Sequence, residues 1–212
     1  FSERFSQIYI VQDISAEEFA KTCLAEQLRA AVSVCGFNYR FGHGASANAE
    51  DLARYMAALG RETVTVPAMR LDGELLSSTA VRAYLLRGET ERAAAMLGEP
   101  YVICGRVEGG DGRGRLLGFP TVNTPFAEGR AVLPAGVYAT VTRTEAGIYP
   151  SVTNVGSCPT FGAREIHAET HICDFSGDLY GKEVEIGFLT KLRDEKTFSS
   201  KEELVMQINI DK

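Results

Sequence analysis

Four glycines, Gly109, Gly110, Gly112 and Gly114, fall within six residues and are interleaved with Arg113 and Arg115. Glycine lets backbone N–H groups approach a ligand closely, and the arginines add positive charge beside them, so the stretch reads as a phosphate cradle. It is not a Walker loop, which ends in Gly-Lys-Ser/Thr, nor a dinucleotide loop, which opens a helix. Instead it runs into Gly118-Phe119-Pro120-Thr121. Pro120 and the β-branched residues after it favour an extended chain, which would turn Thr121 and Asn123 to one face. A hydroxyl and a carboxamide oxygen are hard, neutral ligands that suit magnesium. The plainer alternative is a glycine-rich surface turn followed by a proline-marked edge strand.

Further along lies His167-Ala-Glu169-Thr-His171. In a strand, residues two apart stand roughly 6.6 Å from one another, too far for three ligands on one zinc at about 2 Å each. Glu169 is then a carboxylate bracketed by two imidazoles on one face. Such a group can take the proton of an alcohol during phosphoryl transfer, although a strand glutamate is otherwise most often a solvated surface residue. In the first half, Ser77-Ser78-Thr79-Ala80-Val81-Arg82 opens a helix, where free N–H groups, hydroxyls and an arginine one turn in make an anion site. The bland counterpart is a simple N-cap with an exposed arginine. The aromatic loop Gly36-Phe-Asn-Tyr-Arg-Phe-Gly42 follows a short apolar run, the place where α/β folds hold ligands, or else it simply covers a core.

The elements that must position these residues differ between the two halves. Ser15-Ala-Glu-Glu18 is a capping box, followed by Phe19, Cys23, Leu24 and Leu28 at helical spacing, which predicts a helix of about 14 residues. Ala31 to Cys35 reads as a buried parallel strand, Asn48 to Leu59 as a helix stopped by Gly60, and Thr63 to Val66 as another strand. Alternation of this kind predicts an α/β unit. From Glu99-Pro100 onward, short alternating segments take over: Tyr101 to Val107, Gly136 to Arg143, Ser151 to Val155, Glu165 to Asp174 and Glu183 to Leu189. These predict an antiparallel barrel or sandwich. Ser199 and Ser200 with Glu202 and Glu203 start a final helix carrying Leu204, Val205 and Ile208 on one face. The domain boundary is expected near Leu97 to Pro100, giving units 1–97 and 98–212.

With 212 residues, 45% of them hydrophobic and 24% charged, the composition is that of a globular protein. The net charge of −6 argues against a general nucleic-acid or anionic-membrane binder, since both require a basic face. No apolar run approaches the roughly 20 residues that cross a bilayer. Cys23, Cys35, Cys104, Cys158 and Cys173 are scattered, with no Cys-x-x-Cys pair, and read as reduced core residues of a cytoplasmic protein. The sequence opens at Phe1 without an initiator methionine and shows only one short strand candidate before Asp13, Ile8 to Val11, so residues upstream are expected.

Gly118-Phe-Pro-Thr-Val-Asn123, Glu169-Thr-His171, Asp178-Leu-Tyr-Gly181 and Leu192-Arg-Asp-Glu195 together resemble riboflavin kinase, from about Pro100 to Lys212. Through the Gly36 to Gly42 loop and Leu76-Ser-Ser-Thr-Ala-Val-Arg82, the first half resembles the FMN adenylyltransferase module of the bacterial bifunctional riboflavin kinase/FAD synthetase family. The resemblance implies a Rossmann-like nucleotidyltransferase part, then an antiparallel β-barrel with a C-terminal helix. It implies ATP, riboflavin, FMN and magnesium as small-molecule ligands. Gly110, Gly112 and Arg115 would line the ATP loop, Thr121 and Asn123 would hold magnesium and phosphate, and Glu169 would be the general base. Ile172, Asp174 and Tyr180 would surround the adenine nucleotide, and Arg193, Lys196 and Glu203 would contact flavin. In the first half Ser78, Thr79 and Arg82 would hold ATP phosphates and Asn38 would face FMN. One departure stands out: none of His43, His167 and His171 forms the His-x-Gly-His phosphate motif of the family's adenylyltransferase site. Between Gln7 and Ile14 the fit to the family is also poor. The rival reading is a flavin- or nucleotide-sensing protein that binds without turnover.

Overall fold

The computed structural model describes residues 13–109, 118–157 and 166–212. It divides into two compact units, Phe1–Leu75 and Leu76–Lys212. This division falls ahead of the 97/98 boundary expected from composition, because the two helices that follow Leu75 pack with the strands after them.

In the first unit, Ser15 caps α1 (Ala16–Glu18) by accepting a hydrogen bond from the Glu18 N–H at 3.2 Å. The regular α-helix expected there stops after three residues and continues as a π-helix over Phe19–Gln27. The buried residues are small: Ala16, Ala20 and Ala25. The five-residue step from Ala20 to Ala25 returns to one face only in a helix bonded i to i+5, and Leu28 N–H does donate to Cys23 at 3.0 Å. The strands β1 (Val32–Gly36), β2 (Arg40–Phe41) and β3 (Ala47–Asn48) lead to α2 (Ala49–Ala58), where Asn48 and Asp51 form a reciprocal capping box. After it, β4 (Glu62–Val66) pairs with β1 in parallel, as the α/β reading requires. The expectation that β1 is buried needs correction. Val32, Val34, Val64 and Val66 are 42–67% exposed and only Cys35 is buried. The sheet has two strands, and α2, Phe41 and Ala20 cover the Cys35 face, so among the described residues the valine face stays open. A small hairpin, β5 (Arg70–Leu71) and β6 (Glu74–Leu75), closes the unit.

The second unit begins with α3 (Ser78–Arg87), whose N-cap Ser77 accepts from the Ala80 N–H at 3.1 Å, and α4 (Thr90–Leu97). Then follow β7 (Tyr101–Arg106), β8 (Thr121–Pro125), β9 (Gly136–Thr144), β10 (Gly147–Ser157), β11 (Ile166–Ile172) and β12 (Glu183–Arg193), and finally α5 (Lys201–Asp211). The six strands pair antiparallel in the order β7-β12-β9-β10-β11-β8. The sheet curls into a half-barrel, and a bridge between Glu108 and Asn123 draws its two edges together. This is the antiparallel architecture with a C-terminal helix that the alternation predicts.

Strand periodicity sorts the side chains. Inside lie Ile103, Tyr138, Val155, Ala168, Ile172, Val184, Ile186 and Phe188, with Leu85 of α3 and Ala93 of α4 in the same core. The Tyr138 ring meets Phe188 edge-on at 5.5 Å, and its hydroxyl donates to the Pro134 carbonyl at 2.7 Å. A row of hydroxyls shares this interior: Thr140 bonds Ser151 and Thr153 at 2.8 Å, Thr142 bonds Ser151 at 2.8 Å, and Thr153 bonds Thr170 at 2.9 Å. Gly105 is needed for closure, because a Cβ there would stand 2.6 Å from the Thr124 methyl.

Candidate active site

The alternation that buries Ala168, Thr170 and Ile172 turns His167, Glu169 and His171 to the other face of β11, where His167 is nevertheless covered, 3% exposed, and Glu169 is open. By the same rule Thr121 and Asn123 leave β8 on that face. The register sets Asn123 opposite Glu169, Glu169 opposite Asn154 and Asn154 opposite Val137, with Arg193 opposite Val137 on the far side. One row across five strands thus carries a carboxamide, a carboxylate, a second carboxamide and, at the end of β12, a guanidinium. Thr121 Oγ1 donates to Glu169 Oε1 at 2.8 Å, so two residues 48 apart in sequence act as one polar unit.

The approach to Thr121 is held from below. His171 Nδ1 lies 3.0 Å from the carbonyl oxygen of Pro120, and the Phe119 ring meets the His171 ring edge-on at 5.4 Å. His171 therefore fixes the backbone one residue before Thr121. Gly110, Gly112 and Arg115, together with Arg113 and Gly114, lie outside the described residues, as do Cys158 and the strand candidate Ile8 to Val11. The mouth of the glycine-rich loop is described, however. Val107 N–H donates to the Lys182 carbonyl at 2.8 Å and Gly181 N–H donates to the Val107 carbonyl at 3.0 Å. The Asp178-Leu-Tyr-Gly181 turn is thereby docked beside the loop entrance, with Tyr180 56% exposed and its N–H held by Asp178 Oδ1 at 3.0 Å. Asp174 is exposed at a left-handed turn position, φ 54°, just past β11. Ile172 is 5% exposed and belongs to the core, so its side chain is not turned to the outer face.

At the other end of the row, Arg193 forks onto the Asp211 carboxylate at 2.7–3.1 Å and donates to the Asp194 carbonyl. Both side chains are largely buried, and Phe198 lies 5.8 Å from the guanidinium. Arg193 thus clamps the end of α5. Glu203 Oε2 accepts from both the N–H and the hydroxyl of Ser199, at 2.9 and 2.8 Å, and these hydrogen bonds hold its carboxyl below its ordinary range. Ser200 is the N-cap of α5, accepting from the Glu203 N–H at 3.2 Å, and Glu203 completes the first turn by holding Ser199. Lys196 is exposed between the two. Burial pushes the Tyr138 hydroxyl up to about 12, with the nearby Asp194 charge adding to the effect. In the first unit Asn38 is an exposed turn residue after β1. Ser78 and Thr79 are exposed on the first turn of α3 and Arg82 one turn further in, all described in the second unit.

Two residues without an assignment from spacing join the row. Glu195, the last residue of the Leu192-Arg-Asp-Glu195 motif, places Oε1 3.3 Å from Asn154 Nδ2. Gly156 makes room for it, since a Cβ there would collide with the Glu195 carboxylate. These partners are 41 residues apart, and no local pattern could have joined them.

Oxygen donors at Thr121 and Asn123 on one face, beside an acidic Glu169, are the chemistry that hard cations and phosphates require. Asn123 is only 8% exposed, so its amide is already oriented by the sheet. A small antiparallel half-barrel carrying that set is a scaffold suited to holding a cation-bound phosphate beside a carboxylate. The family model for riboflavin kinase matches residues 97–212, and that for FAD synthetase matches residues 3–80. The chain belongs to the riboflavin kinase family. Among curated proteins, the bifunctional riboflavin kinase/FMN adenylyltransferase of Escherichia coli strain K12 is 34% identical over 213 residues, covering 100% of this chain and 66% of its own length. That of Haemophilus influenzae is 36% identical over 201 residues, covering 92% and 64%. The chain thus spans just under two thirds of these relatives. A crystal structure of a protein described as a macrolide-efflux protein from Streptococcus pneumoniae superposes with a TM-score of 0.82 and 33% identity, covering 94% of this chain and 64% of that one. Among the described residues of this chain, no helix is long and apolar enough to cross a membrane.

Proposed function

We propose that this chain phosphorylates riboflavin to FMN with ATP on the outer face of the half-barrel. The observation that carries this reading is the Thr121–Glu169 hydrogen bond of 2.8 Å with Asn123 opposite Glu169 in the β8–β11 register. Glu169 takes the proton of the terminal ribityl hydroxyl while the γ-phosphoryl group is transferred to that oxygen. Thr121 donates its only proton to Glu169, which leaves its lone pairs to face a cation. Thr121 and Asn123 would hold magnesium, which supplies charge neutralisation for the triphosphate when bound. The glycine-rich loop with Gly110, Gly112 and Arg115 cradles the phosphates, and Asp174, Tyr180 and the Ile172 backbone border the adenine side. Arg193, Lys196 and Glu203 border the flavin side, where Arg193 and Glu203 also hold α5 in place.

In the same reading, residues 1–97 serve FMN adenylylation to FAD and residues 98–212 serve the kinase, in accord with the relatives that carry both activities. Asn38 faces FMN there, and Ser78, Thr79 and Arg82 meet ATP phosphates at the start of α3. Cys23, Cys35, Cys104 and Cys173 are free thiols, which favours a reducing, cytoplasmic setting. A sensor that only binds flavin would have no use for a carboxylate coupled to a ligand hydroxyl. Incubation with riboflavin and MgATP, followed by chromatographic separation of riboflavin, FMN and FAD, tests the proposal. Absence of FMN would overturn it.

A further inference from the structure

Glu195 is an exposed carboxylate that no cation pairs with among the described residues; its recorded partner is the Asn154 amide at 3.3 Å. Its position is nevertheless specified. Gly156 vacates the space the carboxylate fills, and Asn154 stands beside Glu169 in the same cross-strand row. The β10 strand that Glu195 overlies is one strand from Glu169, about 4.8 Å away, a gap that a five-carbon polyol chain can span. With Nδ2 donated to Glu195, Asn154 presents Oδ1 as an acceptor. The ionised carboxylate is acceptor-only as well. A patch of acceptors next to the base is what a chain of hydroxyl donors would meet.

We propose that Glu195 and Asn154 read the inner hydroxyls of the ribityl chain, and so select a polyhydroxylated flavin side chain and seat its terminal hydroxyl at Glu169. This rests on the riboflavin kinase reading above. It assigns Glu195 a specificity role through direct contact with substrate, separate from proton transfer. The bonds it accepts would be charge-assisted, the stronger kind.

The test compares two acceptors on the full chain: riboflavin, and a flavin whose N10 side chain is a five-carbon chain bearing only the terminal hydroxyl. The parent should prefer riboflavin. Glu195→Gln should lower kcat/KM for riboflavin by about 10- to 100-fold, as expected for loss of hydrogen bonds to a charged group, chiefly through KM. The same variant should leave the deoxygenated acceptor within about threefold of the parent. Asn154→Ala should show the same selective loss, with thermal unfolding of both variants close to that of the parent. A parallel fall on both acceptors would mean that the pair merely holds the segment after β12 onto β10, and would overturn the proposal. So would no change on either acceptor. If the parent phosphorylates neither flavin, the kinase reading itself fails, and that result precedes any comparison of variants.

Discussion

The hydrogen bond between Thr121 and Glu169 ties the proposed cation ligand to the proposed base, so the two should fail differently when cut. Glu169→Gln keeps the shape and a hydrogen-bonding group but removes the charge. Turnover should drop by about 10²- to 10⁴-fold while riboflavin and MgATP bind within a few-fold of the parent, read by flavin fluorescence and calorimetry. Unchanged turnover would make Glu169 a bystander. Thr121→Ala removes both the donor to Glu169 and an oxygen ligand, and Asn123→Ala removes the second. Each should cut FMN formation by about 10²-fold or more, with a raised magnesium requirement. Near-normal activity of either at ordinary magnesium would remove the metal role. Much of this residue-level picture was legible in advance: Pro120 announced an extended chain, and a two-residue step then forced Thr121 and Asn123 to one side. Asn154 and Glu195 were not legible, because their meeting depends on how β10 and the segment after β12 come together in space.

Among the elements, the last helix is tied at both ends. Its C-terminal tie is the Arg193–Asp211 fork, in which the side chains are only 15% and 6% exposed. Removing one partner of such a pair leaves a buried charge uncompensated. Asp211→Ala should therefore cost about 3 kcal/mol, seen as a lower urea midpoint, and should raise the KM for riboflavin by loosening α5. An unaltered midpoint would show that the fork contributes nothing. At its N-terminal end the Glu203 carboxyl lies below its ordinary value of 4.5 because Ser199 donates to it. A depressed acid stabilises the fold above its unfolded value and loses that contribution as pH falls through the folded one. The cap should thus weaken on acidification below about pH 4.5, and Glu203→Gln should abolish this part of the pH dependence of helicity measured by circular dichroism. The strands of the second half were readable from alternation, and this cap from its Ser-Ser and Glu-Glu pattern. Helix α4 was not, since Thr90-Glu-Arg-Ala-Ala-Ala-Met-Leu97 is only eight residues long, its apolar face is mostly alanine, and Glu89 makes no side-chain cap. The π-helical turn after Glu18 escaped for a related reason: alanines at 16, 20 and 25 leave no periodic signal strong enough to distinguish the two kinds of helix.

For the whole molecule, composition placed the seam between the halves at the change of periodicity, whereas packing places residues 76–97 with the half-barrel. Leu85 and Ala93 are 2% and 0% exposed within its core. A fragment of residues 98–212 should accordingly be less stable than one of residues 76–212 by several kcal/mol, because a Leu-sized gap alone costs about 2–5 kcal/mol. Equal urea midpoints for the two fragments would contradict that packing. The core also governs alkaline behaviour. Tyr138 is raised to about 12 from an ordinary 10.0, so its neutral form stabilises the fold fully below pH 10 and loses that effect as pH rises towards 12. Tyr138→Phe should remove the latest tyrosine transition from an ultraviolet titration, and should cost about 1 kcal/mol through the lost bond to Pro134.

The hydroxyls inside the half-barrel have a bearing on how the strands find one another. Inside-outside alternation repeats every two residues, so β10 could slide two places along β9 or β11 and still bury its apolar side chains. Such a slide would break the row in either direction: Thr170 would face Val155 in one, and Thr140 would face Tyr149 in the other, each losing the hydroxyl partner it now has. At about 1–3 kcal/mol for each unsatisfied group, the slipped pairing is strongly penalised although its greasy pattern looks correct. Asn154 and Glu169 stand on these same strands. The interior hydroxyls thus decide, from the opposite side of the sheet, which residues share a row on the outer face. Thr153→Val, nearly the same shape, should lose more than its two hydrogen bonds: it should admit a misaligned population that refolds slowly and carries no kinase activity.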